Sequence, residues 1–278
     1  MTLRSRLFSW SFELDRAARV LAILREELAF RTLTERDWLD LGQSLYTQEP
    51  KYSQGSDHNQ SGLFAFEREA IELAFPPPPA AILVGGCGGG REIFGLLERG
   101  YRIAAAYDPV KEFIDALRED PRLFEMRERL CVGAHQTVDS LAPVRKLCET
   151  GAPVDAVLVG WTSYTHVRGA KRRVEFLRSV RALCPSGPLL LSFHAAMADE
   201  SERPARLRTR LRRVLGTSRS MAETGDGLQR GQGAVHRFTE AAFAEEAIAA
   251  GYRVRLWQEH DFGAAHAILI PETHTEAP

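Results

Sequence analysis

The stretch Ile82-Leu83-Val84-Gly85-Gly86-Cys87-Gly88-Gly89-Gly90-Arg91-Glu92 decides how this chain is read. Its first residues close a short apolar run over 80–84, the length of a buried strand. The segment 85–90 then sets five glycines around one cysteine. Glycine has no Cβ, so such a backbone turns sharply and lets a ligand come close. A helical pattern resumes over 91–99 and is stopped by Gly100. A helix opening on such a turn offers unpaired N–H groups and a positive dipole end to a carboxylate or phosphate. Strand, glycine turn and helix together predict the first unit of a doubly wound α/β fold. In such folds the ligand sits beyond the C-terminal ends of the strands.

Downstream, apolar strand segments over 102–107, 130–132, 155–160 and 188–194 alternate with helical segments over 110–118, 138–148 and 171–183. Continuous apolar strands separated by helices predict a mostly parallel sheet covered on both faces. A helix over 240–250, ended by Gly251, leads into strands over 252–257 and 265–270, which brings the expected sheet to seven strands.

Upstream the pattern differs. Leu14, Ala17, Ala18, Leu21, Leu24 and Leu28 mark the stripe of an amphipathic helix. A second helix over 35–45 has Thr34 as N-cap and Asp37 as capping-box partner. The polar stretch 48–62, with Tyr52 and His58, is turn-prone, and a helix over 63–75 ends at the prolines 76–79. The expected organisation is a helical cap with a lid loop over 1–62 and an α/β core over 63–278. That core carries a basic helical insertion near 195–233, with arginines at 203, 206, 208, 210, 212 and 213. Residues 222–234, rich in glycine, read as a flexible loop.

Composition narrows the function classes. A net charge of −1 over 278 residues gives no global attraction to nucleic acid or anionic membrane. No run reaches the roughly 18 apolar residues that span a bilayer. The N-terminus mixes charge into its apolar residues, unlike a signal peptide. Cys87, Cys131, Cys148 and Cys184 form no Cys-x-x-Cys pair, which fits a reducing cytoplasm, and no metal-ligand spacing is visible.

The glycine turn discriminates between cofactors. A dinucleotide fingerprint needs G-x-G-x-x-G or A. Counted from Gly86, its sixth position is Arg91, and counted from Gly85, its third is Cys87. Neither register fits. The G-x-G-x-G register of Gly86, Gly88 and Gly90 does, and here the chain resembles motif I of class I S-adenosylmethionine (SAM) dependent methyltransferases, a Rossmann-like family. The resemblance extends over 80–270 and implies SAM as cofactor. Asp108, eighteen positions beyond Gly90, matches the family's ribose-binding acid. The resemblance also implies that Gly86, Cys87, Gly88, Gly90, Arg91 and Pro109 line the cofactor site. Residues after the third strand, including His135 and Gln136, would face the adenine, and Gln136 can accept its amino hydrogen. Trp161 would pack on the methionyl part, where an aromatic face tolerates a sulfonium. Two departures stand out: Val84 occupies the place of an acid near the methionyl end, and the usual Asp after the third strand is absent.

Tyr164 and His166 fall where a methyl acceptor would approach, and His166 is the first candidate for a general base. His236 and His194 are the alternatives. An (Asp/Asn/Ser)-Pro-Pro-(Tyr/Phe) motif is missing after the fourth strand, which argues against methylation of DNA bases. The leading expectation is a cytoplasmic methyltransferase acting on an oxygen or nitrogen of a small molecule, in specialised metabolism. The alternatives are a non-catalytic binder of SAM or S-adenosylhomocysteine (SAH), an NAD(P)-dependent oxidoreductase, and an RNA or protein methyltransferase using the arginine segment. A homodimer is left open.

Overall fold

The computed structural model describes residues 3–151, 153–196, 223–260 and 263–272. The arginines at 203–213 lie outside the described residues.

At the centre is β1 (Ala81–Gly85), flanked in parallel by β2 (Arg102–Asp108) and β4 (Ala156–Val159). β3 (Leu130–Val132) extends the sheet beyond β2, and β5 (Leu189–Ala195) extends it beyond β4, both in parallel. The antiparallel strand β9 (Ala264–Pro271) pairs with β5, and β8 (Tyr252–Glu259) closes that edge against β9. These seven strands have the expected doubly wound, mostly parallel arrangement. Successive side chains of β1 supply opposite cores, as a sheet covered on both faces requires. Ile82 and Val84 pack with Ile93, Leu96, Ile114 and Leu117, while Leu83 packs with Val144, Val157, Phe176 and Leu177. The first set belongs to α5 (Arg91–Leu97) and α6 (Lys111–Glu119), and the second draws on α7 (Ala142–Thr150) and α8 (Ala170–Leu183).

Two expectations need correction. The glycine-rich segment 222–234 was expected as a loop, yet β6 (Asp226–Gln229) and β7 (Gly233–Phe238) form a hairpin there. β7 joins the end of β5 through His194↔Arg237 and Ala195↔Phe238, so nine described strands belong to one sheet. A turn at 230–232 lets the short flanking runs pair, and Val235 and Phe238 gain buried positions. The second correction concerns the first helix, α1 (Leu3–Thr32). Its leucine stripe faces solvent, with Leu14, Leu21 and Leu28 at 66%, 65% and 62% exposure. Ile23, Glu27 and Phe30, at i, i+4 and i+7, turn inward instead. Phe30 packs on Trp38 and on Ala234 of the new hairpin, and that contact selects the buried face.

α2 (Glu35–Thr47) begins with the expected capping box. Thr34 Oγ1 accepts from the Asp37 amide at 3.2 Å, and the Thr34 amide donates to Asp37 Oδ2 at 2.7 Å. The lid segment contains a 3-10 turn at Pro50–Tyr52 and a single turn, α3 (Asp57–Gln60), before α4 (Ala65–Ala74). Among the described residues no helix is long and apolar enough to cross a membrane.

Candidate active site

A cavity opens over the C-terminal ends of β1, β2 and β4 and is roofed by α2 and the lid segment. The glycine loop forms its floor. Gly86 has φ +64, and a Cβ there would collide with Ser163. Gly88 has φ +48, and a Cβ there would meet nothing within 4 Å, so the loop presents bare backbone to open space. Gly90 belongs elsewhere: it caps α5 at φ +96 against Leu117 and Phe94, facing the core.

Asp108 ends β2 at the cavity wall, where Pro109 interrupts the strand. Its Oδ2 accepts from the Gly88 amide at 2.8 Å and its Oδ1 from the Val110 amide at 2.9 Å. Burial pushes this carboxyl up to about 6, against the two amide bonds that favour its charged form. His135 and Gln136 also line the cavity. The His135 Nδ1 is 2.9 Å from the Tyr107 hydroxyl, whereas His135 Nε2 and Gln136 Oε1 are buried with no partner among the described residues. Such atoms are costly unless a ligand or water satisfies them. Burial holds His135 down to about 3, so its imidazole is neutral.

Trp161 and Ser163 reach the cavity from the segment after β4, where Thr162 adopts φ 51. That left-handed conformation costs a β-branched residue roughly 1–2 kcal/mol. The Thr162 amide bonds to Ser192 Oγ at 3.1 Å, helping to hold it. Trp161 packs edge-on to Phe64, with ring centroids 5.1 Å apart.

His166 lines the cavity, half-buried and with a defined tautomer. Its Nδ1 lies 3.1 Å from the Ala234 carbonyl oxygen, which only accepts, so Nδ1 carries the hydrogen. Nε2 is therefore an acceptor, and the Tyr46 hydroxyl donates to it at 2.8 Å. Burial holds His166 down to about 4, with the Ala234 bond opposing the shift. Burial raises the Tyr46 hydroxyl well above its ordinary value. Both groups are neutral at physiological pH.

The other two catalytic candidates are not brought into this cavity. Tyr164 sits on the opposite side of the 3-10 turn Ser163–His166, fully buried and stacked on Phe238 at 5.2 Å. His236 lies in β7, where its Nδ1 pairs with Asp226 Oδ1 at 2.7 Å inside the hairpin. His194 stands behind the lining, 2.9 Å from Gln232 Oε1, and Gln232 itself faces the cavity.

Several lining residues were not singled out from the sequence. Glu35, Trp38, Leu39, Gly42, Gln43 and Tyr46 form one face of α2. Their 3- and 4-residue spacing marks a common face, but periodicity alone does not say what the face covers. Gln43 Nε2 donates to the Pro109 carbonyl at 2.6 Å, and Glu35 pairs with Arg168 at 2.5 Å, so α2 is tied to the core at both ends of the cavity. Tyr52 and His58 of the lid segment also line the cavity, their rings 5.7 Å apart. Glu92 was missed too. It is buried beside Arg91, whose guanidinium it meets at 2.5 Å, and it accepts from the Trp161 amide at 3.2 Å.

No protein-family model and no curated protein matches the sequence. Solved structures do match. The PH0226 protein from Pyrococcus horikoshii OT3 has a TM-score of 0.55 and 17% identity, with 82% of this chain and 99% of that one covered. Burkholderia thailandensis 1,6-didemethyltoxoflavin-N1-methyltransferase, solved with 1,6-didemethyltoxoflavin and SAH, has a TM-score of 0.54 and 19% identity, over 87% of this chain and 92% of that one. A Rhodobacter sphaeroides protein assigned to the zinc-dependent alcohol dehydrogenases has a TM-score of 0.50 and 14% identity, over 74% and 90% of the two chains. At these identities the likeness establishes the architecture alone: the chain has a Rossmann-like α/β fold, like that of the Burkholderia methyltransferase.

Proposed function

We propose that this protein is a SAM-dependent methyltransferase acting on an oxygen or nitrogen of a small molecule. The observation that carries the proposal is the charge of the cavity floor. Asp108 and Glu92 both present carboxylates around the glycine loop, and the neighbouring cation Arg91 is engaged by Glu67 and Glu92. A pyrophosphate would meet like charge there, so a dinucleotide is disfavoured. A cationic adenosyl ligand meets charge of opposite sign.

The residues present suit SAM in kind. Asp108 has lone pairs for two ribose hydroxyls, and the partnerless His135 Nε2 and Gln136 Oε1 suit a heterocycle with donors and acceptors on its edge. The bare Gly88 backbone leaves room for the ligand, and Trp161 offers a π-face to a sulfonium. When bound, SAM supplies an already activated methyl group, so the protein's work is chiefly positioning and exclusion of water. His166 Nε2 is the proton acceptor, reached through Tyr46. A proton released at the Tyr46 oxygen displaces the hydroxyl hydrogen onto Nε2. With its pKa held down to about 4, His166 stays unprotonated and its Nε2 remains an acceptor at physiological pH. The aromatic walls from Trp38, Tyr46, Tyr52 and Trp161 fit a planar acceptor. We place the protein in the cytoplasm and treat α1, α2 and the lid segment as the part that shapes the acceptor pocket.

Calorimetric titration with SAH, with NAD as control, tests the cofactor. Micromolar SAH binding is expected, and binding of NAD alone would overturn the proposal. Once a panel of phenols and heteroaromatics yields turnover, His166→Asn is expected to keep SAH affinity while kcat falls roughly 100-fold or more. An unchanged kcat would remove His166 from the mechanism.

A further inference from the structure

Among the described residues, the pair Glu67 and Glu92 beside the glycine loop carries one buried negative charge more than its cation Arg91 neutralises. Glu67 and Glu92 share a single guanidinium. Arg91 donates to Glu67 through Nη1 and Nη2, both at 2.6 Å, and the Phe64 amide adds a third bond to Glu67 at 2.7 Å. Glu67 is thereby satisfied beneath the loop and does not line the cavity. Glu92 takes only the remaining Arg91 contact at 2.5 Å and the Trp161 amide at 3.2 Å, and it does line the cavity. The surplus charge therefore faces the ligand space. His58, which lines the cavity from the lid segment, does not offset it: burial and the Arg91 charge lower its pKa against the pull of Glu92.

Geometry narrows what can compensate this carboxylate. The Arg91 and Trp161 contacts both reach Glu92 Oε1, whereas Oε2 takes no hydrogen bond from the described residues. A carboxylate oxygen left open at the cavity suits a compact cation with several N–H donors. A second observation marks the same cavity as a ligand site: His135 Nε2, in a side chain only 3% exposed, is partnerless and 3.0 Å from where a Gly86 Cβ would be.

Resting on the SAM reading above, we propose that Glu92 anchors the α-ammonium group at the amino-acid end of the adenosyl ligand. Val84 occupies the β1 position where the resemblance implies an acid, and Glu92 presents a carboxylate from the first turn of α5. With the ribose held at Asp108, Gly86, Gly88, Glu92 and Trp161 are the lining residues that would hold the ligand's amino-acid arm. Arg91 holds the Glu92 carboxylate in place, and Gly160 leaves it room.

Calorimetry with three ligands tests this: SAH, its analogue lacking the α-amino group, and 5′-methylthioadenosine, which has no amino-acid arm. Wild-type protein is expected to bind SAH roughly 10- to 100-fold more tightly than the deaminated analogue, the scale of one charge-assisted contact. Glu92→Gln is expected to lose that factor for SAH while binding 5′-methylthioadenosine within about twofold of wild type. Equal wild-type affinity for SAH and its deaminated analogue would overturn the inference, and this comparison needs no variant to fold. A Glu92→Gln protein that binds SAH normally, or weakens both ligands alike, would also overturn it. Wild-type protein that binds no SAH at all would instead remove the cofactor reading on which the inference stands.

Discussion

Replacing Asp108 by alanine is expected to weaken SAH binding by roughly two to four decades, because two charge-assisted hydrogen bonds to a ribose contribute about 1.5–3 kcal/mol each. The carboxylate is placed for this by its own backbone contacts, which point it from the end of β2 towards Gly88. Asp108→Asn keeps the shape and loses the charge, so an intermediate loss of about 10- to 100-fold is expected. The same residue makes two opposite pH trends. Its pKa rises from about 3.9 unfolded to about 6 folded, with burial as the main cause. Its contribution to stability is fully present below the unfolded value and is lost as pH rises through about 6, on the order of 3 kcal/mol in all. SAH binding requires the ionised form and therefore strengthens over the same rise. Melting temperature and SAH affinity, followed from pH 4 to 8, should move in opposite directions for wild type, and Asp108→Asn should flatten both. A wild-type affinity that is level across pH 6 would remove Asp108 from the binding site.

Arg91→Met is expected to cost the fold about 3–5 kcal/mol, the effect of leaving buried carboxylates without their cation. Burial works against the guanidinium charge, but Glu92 and Glu67 hold its pKa above the ordinary arginine range. Glu67 is itself pushed up by burial, with the Arg91 bonds opposing that shift. The side chain also lies 3.8 Å over the Phe64 ring and donates to the Gly62 carbonyl at 2.9 Å, so it joins α4 and the lid segment to α5. A drop in Tm on the order of 10 °C follows for a chain of this size. Adding Glu67→Gln to Arg91→Met should recover part of that loss, because a neutral amide is cheaper to bury alone than a carboxylate. If the single variant melts within about 2 °C of wild type, the ion pair is not structural.

The strand, glycine loop and helix over 80–99 were legible because each is a local property: an apolar run, missing Cβ atoms, a helical period. The place of Asp108 at a strand end was legible for the same reason, since an apolar run meets a proline there. The capping box at Thr34 and Asp37 involves residues three apart and was read directly. The hairpin over 226–238 was not, because its glycine-rich composition resembles a loop until β5 offers an edge to pair with.

Side-chain direction was decided only by packing between remote segments. The leucines of α1 have the stronger periodic signal, yet Phe30 faces inward because Trp38 and Ala234 meet it there. Tyr164 and His166 are two residues apart, and the 3-10 turn sends one to the core and the other to the cavity. Tyr46 and His166 are 120 positions apart, and no local pattern in either predicts their hydrogen bond. The sequence by itself determined the fold and the place of the glycine loop, since residue period and backbone freedom act over a few neighbours. Tertiary structure decided which polar groups share the cavity, since that depends on which helix faces are buried when α2, α4 and the β6–β7 hairpin close over the sheet.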